Sequence, residues 1–129
     1  FVKYYSFFQN RKAWEDKIEK RIEKNLNDIV RFCKSKNVEV VVLSYPYPFR
    51  TANELLKAAA DTHKLPFVDN RTVFEALLEN EKWRSFFEDD DHCTVKGYSI
   101  MAKNVYDMFI KEKLLDSYLG EARKWVLSE

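Results

Sequence analysis

The most constraining feature of the sequence is one run of β-branched and aliphatic residues, Val38 to Tyr45, that ends at Pro46. Its apolar residues do not alternate with polar ones, which is typical of a strand covered on both faces of a sheet. Such a strand needs neighbouring strands for its backbone N–H and C=O groups and helices above and below it. The run therefore predicts a central strand of a parallel sheet in an α/β domain.

The segments around this strand predict a βαβ unit with further helices. A short second strand is expected at 65–69, ending at Asp69. Apolar residues at helical spacing predict helices over about 12–36, 52–63, 72–78 and 95–113. The stripe expected to be buried on the last of these consists of Val95, Tyr98, Ala102, Val105 and Phe109.

The two ends of the chain are less regular. Residues 1–10 are rich in aromatic side chains without a clear period and fit no single element. Residues 114–129 carry apolar side chains at helical spacing, which predicts an amphipathic C-terminal helix. With 129 residues, the chain has room for a single α/β domain.

The balance of predicted elements indicates an incomplete sheet. One convincing strand and one short strand stand against four or five helices, with at most a third strand near the N-terminus. Because so few strands cannot satisfy a buried central strand, we expect the missing strands on an upstream segment or on another chain.

Charge and hydropathy exclude several classes of protein. The 22 Lys and Arg residues against 21 Asp and Glu residues give a net charge of +1, so no broad field favours nucleic acid. No apolar run is long enough for a transmembrane segment. Two cysteines, Cys33 and Cys93, are too few for a disulfide framework or a structural zinc site.

A candidate for acid–base chemistry lies just before the last long helix, in the run Asp89-Asp90-Asp91-His92. A carboxylate three residues before a histidine can reach the Nδ1–H of the ring and leave the other nitrogen to take a proton from a nucleophile. The alternative interpretation is a solvated loop that caps the next helix, with Thr94 as N-cap. A metal site here would mix hard and soft ligands within five residues and is disfavoured.

Together with what precedes it, this motif resembles the C-terminal part of an SGNH (GDSL-type) hydrolase. The resemblance covers roughly residues 38–111. It rests on the strand Val40 to Pro46, the helix opening at Asn53, the second strand ending at Asp69, and Asp89-x-x-His92 followed by Gly97-Tyr98.

The resemblance implies a three-layer α/β/α fold with a parallel sheet, of the flavodoxin-like kind. It also implies a serine esterase that cleaves an acyl or acetyl ester of a lipid or carbohydrate through a Ser-His-Asp triad. His92 would be the general base and Asp89 the orienting acid, with Asp91 as a rival for the acid. No metal or organic cofactor is implied.

The nucleophile and oxyanion blocks of the family contain glycines, whereas this sequence has only Gly97 and Gly120. We therefore expect an upstream segment or a second chain to carry the nucleophile. Ser44 ends the central strand, but no strained glycine turn presents it, and Cys93 is adjacent to His92, so both are weak replacements. Two alternatives remain: a non-catalytic binding or assembly module that keeps the scaffold, and an O-acyltransferase that uses the same triad.

Overall fold

The computed structural model describes residues 2–47, 49–114 and 116. In chain order the elements are α1 (Val2–Ser35), β1 (Val42–Leu43), α2 (Arg50–His63), β2 (Phe67–Val68), α3 (Asn70–Leu78), a 3₁₀ helix (Trp83–Ser85) and α4 (Val95–Lys111). The described residues thus form a mixed α/β structure that is mostly helical. Within them, no helix has the length and apolar character needed to cross a membrane.

The strands β1 and β2 are parallel and are joined through α2, so the predicted βαβ unit is confirmed. Val42 lies opposite Phe67, and the amide of Val42 donates to the carbonyl of Pro66 over 3.0 Å. The ladder is shorter than the predicted strand over 38–45. Proline has no N–H to donate, which helps to end the ladder at Pro66.

One edge of β1 has no strand beside it within the described residues. The amides of Val42 and Ser44 donate towards β2, so the N–H and C=O groups of the intervening Leu43 point the other way. In the part of the chain that the structure describes, this edge of β1 therefore has no backbone partner.

Helix α1 is longer than predicted, because it begins at Val2 and includes the aromatic residues that fit no element from sequence alone. It packs against α2, and two side chains of α1 reach the last residue of α2. The Nε2 of His63 lies 2.6 Å from Oδ1 of Asn27, and Nζ of Lys34 donates to the carbonyl of His63 over 2.8 Å. The end of α2 is therefore held to α1.

The core joins α3 to the segment that precedes α4. Phe74, Phe86 and Phe87 are fully buried and pack with Cys93. The ring of Phe74 contacts those of Phe86 and Phe87, with centroids 5.7 and 5.4 Å away. Because 86–87 and 93 lie on either side of the acidic run, this core fixes both ends of the loop that carries it.

The inward face of α4 differs from the predicted stripe. Val95 is 85% exposed, and Tyr98 and Ala102 are exposed as well, so the predicted burial of these three residues is wrong. Gly97 and its neighbours on the same face, Ile100 and Met101, pack towards the core instead.

A close approach at the start of α4 explains this rotation. A Cβ atom on Gly97 would lie 2.5 Å from the carbonyl oxygen of Phe86 and 3.0 Å from Cβ of Cys93, so only glycine fits there. Thr94 is the N-cap, as predicted: its Oγ1 accepts the amide of Gly97 over 3.2 Å and donates to the carbonyl of Ser85 over 3.0 Å. The spacing of apolar residues could not reveal this contact, because the close approach requires the smallest residue at position 97 and not an apolar one.

Most of the predicted helix over 114–129 lies outside the described residues. Leu114 lies in a turn after α4, and all later residues except Asp116 fall outside the described residues.

The variant Gly97→Ala tests the close approach. Alanine normally favours a helix over glycine by about 1 kcal/mol. Here we expect the free energy of unfolding to fall by about 1–3 kcal/mol, since the new methyl group overpacks the contact with Phe86. Urea denaturation followed by far-UV circular dichroism measures the change. Ser99→Ala, on the exposed side of the same helix, is the control and should change stability by less than about 0.5 kcal/mol.

Candidate active site at the carboxyl end of the sheet

The chain that leaves β1 is held by one buried amide side chain. Oδ1 of Asn53 accepts the amide of Tyr45 over 2.7 Å, and Nδ2 donates to the carbonyls of Tyr45 and Tyr47 over 3.1 and 3.3 Å. Asn53 lies in the first turn of α2. It therefore fixes the path of the segment at the carboxyl end of β1.

Ser44 lies at the same end of β1 and is only 2% exposed. Its Oγ accepts the amide of Arg71 over 3.0 Å and lies 3.3 Å from Oδ1 of Asp69. Nδ2 of the buried Asn70 donates to the carbonyl of Ser44 over 3.2 Å, and Oδ1 of Asn70 accepts from Asn104 on α4. The Ser44 hydroxyl thus joins β1 to the start of α3 and is not presented to a substrate.

A cleft of about 470 Å³ opens beside this network, between α2 and α3. Four of its charged side chains form ion pairs within their own helices: Lys57 with Asp61 at 2.5 Å and Arg71 with Glu75 at 2.6 Å. Asp69, also in the cleft, caps α3 by accepting the amide of Thr72. These pairings stabilise the helices that line the cleft.

The acidic run forms a tight hairpin loop. Phe87 and Cys93 form an antiparallel bridge, and the amide of Glu88 donates to the carbonyl of His92 over 2.8 Å. The amide of Asp91 donates to the carbonyl of Glu88 over 3.2 Å, and Asp91 has a left-handed backbone with φ of 65°. This is a three-residue hairpin loop whose last residue is left-handed.

The structure brings His92 together with Asp90. The ring Nδ1 lies 3.0 Å from Oδ2 of Asp90, and the amide of His92 donates to Oδ1 over 3.3 Å. The two side chains are 71% and 70% exposed. The amide of His92, and then its ring, hold the pKa of Asp90 below its ordinary value. Nε2 has no partner among the described residues and faces a site open to solvent.

The predicted pair of Asp89 and His92 is not in contact in the described structure. Oδ1 of Asp89 lies 2.9 Å from a guanidinium nitrogen of Arg84, and these side chains are 85% and 80% exposed. The carboxylate of Asp91 pairs with no side chain in the described ranges. A signal for Asp90 was present in the sequence, since an aspartate commonly accepts the amide two residues later, but spacing alone did not single it out.

Aromatic side chains connect this loop to the carboxyl side of β1. The rings of Trp83 and Phe87 stack with centroids 4.1 Å apart, and Tyr47 contacts Trp83 at 5.1 Å. Tyr47 is half-buried, whereas Tyr45 and Phe49 are about half exposed. Tyr47 therefore packs on the core, and Tyr45 and Phe49 form a rim at the same end of the sheet.

Cys93 follows His92 but belongs to the core. Its Sγ lies 3.7 Å from Sδ of Met101, and burial raises the pKa of the thiol. A raised pKa disfavours the thiolate that a nucleophile needs. Among the described residues, no three His, Cys, Asp or Glu side chains are grouped so as to hold a metal ion.

Comparisons with protein-family models, with curated proteins and with solved structures gave no match to this chain. The site is therefore defined by its own geometry: an exposed imidazole beside a carboxylate, on a loop fixed by aromatic packing to the carboxyl side of a parallel strand pair.

Asn53→Ala tests the amide that holds the chain after β1. Its removal leaves the amide of Tyr45 without a partner, so we expect a loss of about 1–3 kcal/mol in the free energy of unfolding. Urea denaturation measures this loss. Asn80→Ala, at an exposed position after α3, is the matched control, and an equal effect of both variants would contradict the structure.

The pKa of Asp90 tests the contact with His92. In His92→Ala we expect this pKa to rise but to stay below its ordinary value, because the backbone amide of residue 92 remains. Titration of the carboxyl carbon by NMR measures the change. The pKa of Asp28, lowered by Lys24, is an internal control that should not move.

The same shift gives the sign of a pH effect. Because the native pKa lies below the unfolded one, the ionised Asp90 stabilises the fold above the unfolded pKa. This contribution of Asp90 to stability is lost as pH falls through the native pKa.

An unchanged Asp90 pKa in His92→Ala would show that the ring does not contact this carboxylate.

Proposed function

We propose that this chain is the C-terminal part of an SGNH-type, three-layer α/β/α hydrolase domain that cleaves an acyl or acetyl ester. His92 is the general base of a Ser-His-Asp triad, and the serine comes from an upstream segment or from a second chain. The substrate is an ester of a lipid or a carbohydrate.

The observation that carries this proposal is the environment of His92. Its ring is exposed, its Nδ1 faces a carboxylate oxygen at 3.0 Å, and its Nε2 is unoccupied by the described residues. A carboxylate at Nδ1 fixes the tautomer in which Nε2 can accept a proton, and it stabilises the imidazolium that forms. The arrangement supports proton transfer with a group that approaches from solvent.

The unpaired edge of β1 supports the proposal that an upstream segment or a second chain completes the sheet and carries the serine. Leu43 directs its backbone groups away from β2, where no described strand meets them. A further parallel strand placed there would bring its own carboxyl end to the side of the sheet that carries the His92 loop. Active-site residues of open α/β sheets gather at that end.

In the proposed reaction the serine hydroxyl attacks the ester carbonyl while Nε2 of His92 takes the hydroxyl proton. The tetrahedral intermediate then expels the alcohol, which receives that proton from His92, and an acyl-serine remains. Water, deprotonated by the same nitrogen, then attacks the acyl carbon, the bond to the serine oxygen breaks, and His92 returns the proton to that oxygen as the acid leaves. This chain contributes the proton carrier and the carboxylate that orients it.

Two carboxylates compete for the orienting role. The resemblance assigns it to Asp89, whereas the contact in the structure favours Asp90. The ion pair of Asp89 with Arg84 is exposed and contributes only about 0–1 kcal/mol, so it presents little barrier to a move of Asp89 towards the ring. Matched amide variants of the two residues separate these assignments.

Hydrolysis of p-nitrophenyl acetate and labelling by a fluorophosphonate, on protein that includes the upstream segment, test the proposal. His92→Ala should lower kcat by about 10⁴-fold or more. His63→Ala, the other histidine, is the control and should retain activity. Absence of labelling, or hydrolysis that His92→Ala leaves unchanged, would refute the esterase.

For the acid, the contact in the structure leads us to expect that Asp90→Asn lowers kcat by about 10³- to 10⁴-fold and that Asp89→Asn lowers it by less than about tenfold, since only the orienting acid sets the tautomer. The reverse order would assign the role to Asp89.

One observation favours a second candidate, a non-catalytic binding or assembly module. Helix α4 has an exposed apolar face, and such a face is common at protein interfaces. It consists of Val95, Tyr98, Tyr106 and Ile110.

An O-acyltransferase with the same triad differs from the esterase only in its acceptor. Product analysis with a sugar acceptor separates these two enzymes.

A further inference from the structure

Asp91 has an unusual backbone for a residue that is not glycine. Its φ of 65° lies in the left-handed region, which asparagine, aspartate and glycine adopt far more readily than β-branched residues do. It stands directly before His92, so its conformation sets the direction in which the chain enters that residue.

The bonds of the loop depend on this conformation. The amide of Asp91 donates to the carbonyl of Glu88, and the amide of Glu88 donates to the carbonyl of His92. In a three-residue hairpin loop, the left-handed residue is what lets the strand pair again after the turn. Without it, the carbonyl of His92 would turn away from Glu88.

The side chain of Asp91 takes no part in these bonds. Its carboxylate has no partner in the ranges that the structure describes, whereas the carboxylates of the two preceding residues, Asp89 and Asp90, contact Arg84 and His92 respectively. The loop therefore depends on the backbone conformation of Asp91 and not on its carboxylate.

We propose that Asp91 is a positioning residue that acts through its left-handed backbone, and not through its carboxylate, to place the His92 ring against its carboxylate partner. The catalytic consequence rests on the proposed function. The structural consequence does not, because it concerns only the loop from Glu88 to His92.

Three variants separate backbone from side chain. Asp91→Gly and Asp91→Asn remove the charge but accept a left-handed backbone, and Asp91→Val removes the charge and resists that backbone. The pKa of Asp90 and the hydrogen exchange of the Glu88 amide report the loop geometry in this chain. Circular dichroism confirms that each variant is folded.

We expect Asp91→Gly and Asp91→Asn to keep both the lowered pKa of Asp90 and the protection of the Glu88 amide from exchange. The Val variant loses both, with the pKa returning towards its ordinary value and exchange faster by about tenfold or more, because the loop bonds no longer form. If the Val variant keeps both, or if the Gly and Asn variants lose them equally, the proposal is overturned.

Activity gives a second, separate readout. On p-nitrophenyl acetate we expect Gly and Asn variants to stay within about twofold of the native protein, and Asp91→Val to lose about 10- to 100-fold in kcat with KM unchanged. A large loss in Asp91→Asn would make the carboxylate the working group and overturn the proposal. If the native protein itself is inactive, the proposed function fails, and the NMR pattern still decides the role of Asp91.

Discussion

The structure depends on a set of buried hydrogen bonds at the carboxyl end of β1. A two-residue parallel ladder is too short to fix the chain that follows it, and backbone groups buried there need partners. Asn53 supplies three of them from α2, while Ser44 and Asn70 join β1 to α3 and, through Asn104, to α4. These side chains hold three helices around one end of the sheet.

That end of the molecule also carries the loop with His92. Asn53 holds the carbonyl of Tyr47, a few residues after β1, by a hydrogen bond. The ring of Tyr47 packs on Trp83, which stacks on Phe87 at the base of the His92 loop. The path from strand to imidazole is therefore a sequence of buried hydrogen bonds followed by aromatic contacts. Only the last step, the loop itself, is exposed, and there the geometry depends on the local hydrogen bonds of residues 88–92.

Much of the fold follows from patterns in the sequence. The βαβ unit, the positions of α2 and α3, and the N-cap Thr94 were all predicted, because periodicity and capping are local signals. The face of α4 was mispredicted, since a close approach of Gly97 to Phe86, and not apolar periodicity, determines its rotation. The length of the first strand, predicted over 38–45, was overestimated because the length of a ladder depends on the strands that pair with it and not on the strand's own residues.

The candidate site was predicted in part. The sequence marks His92 and an acidic neighbour, but not which carboxylate meets the ring, because three adjacent aspartates differ only in backbone conformation. The left-handed Asp91 and the contact of Asp90 follow from the hairpin that Phe87 and Cys93 close. No sequence pattern at Asn70 or Asn53 predicts the buried hydrogen bonds that these residues make, so their structural importance became evident only from their contacts.

The proposed esterase requires that His92 take a proton from a hydroxyl on other polypeptide. A crystal structure of the fluorophosphonate adduct of protein that includes the upstream segment tests this requirement. We expect a phosphonylated serine whose Oγ lies about 2.6–3.2 Å from Nε2 of His92, the hydrogen-bond reach of a general base. A modified serine far from this ring, with His92 still facing solvent, would show that His92 is not the base.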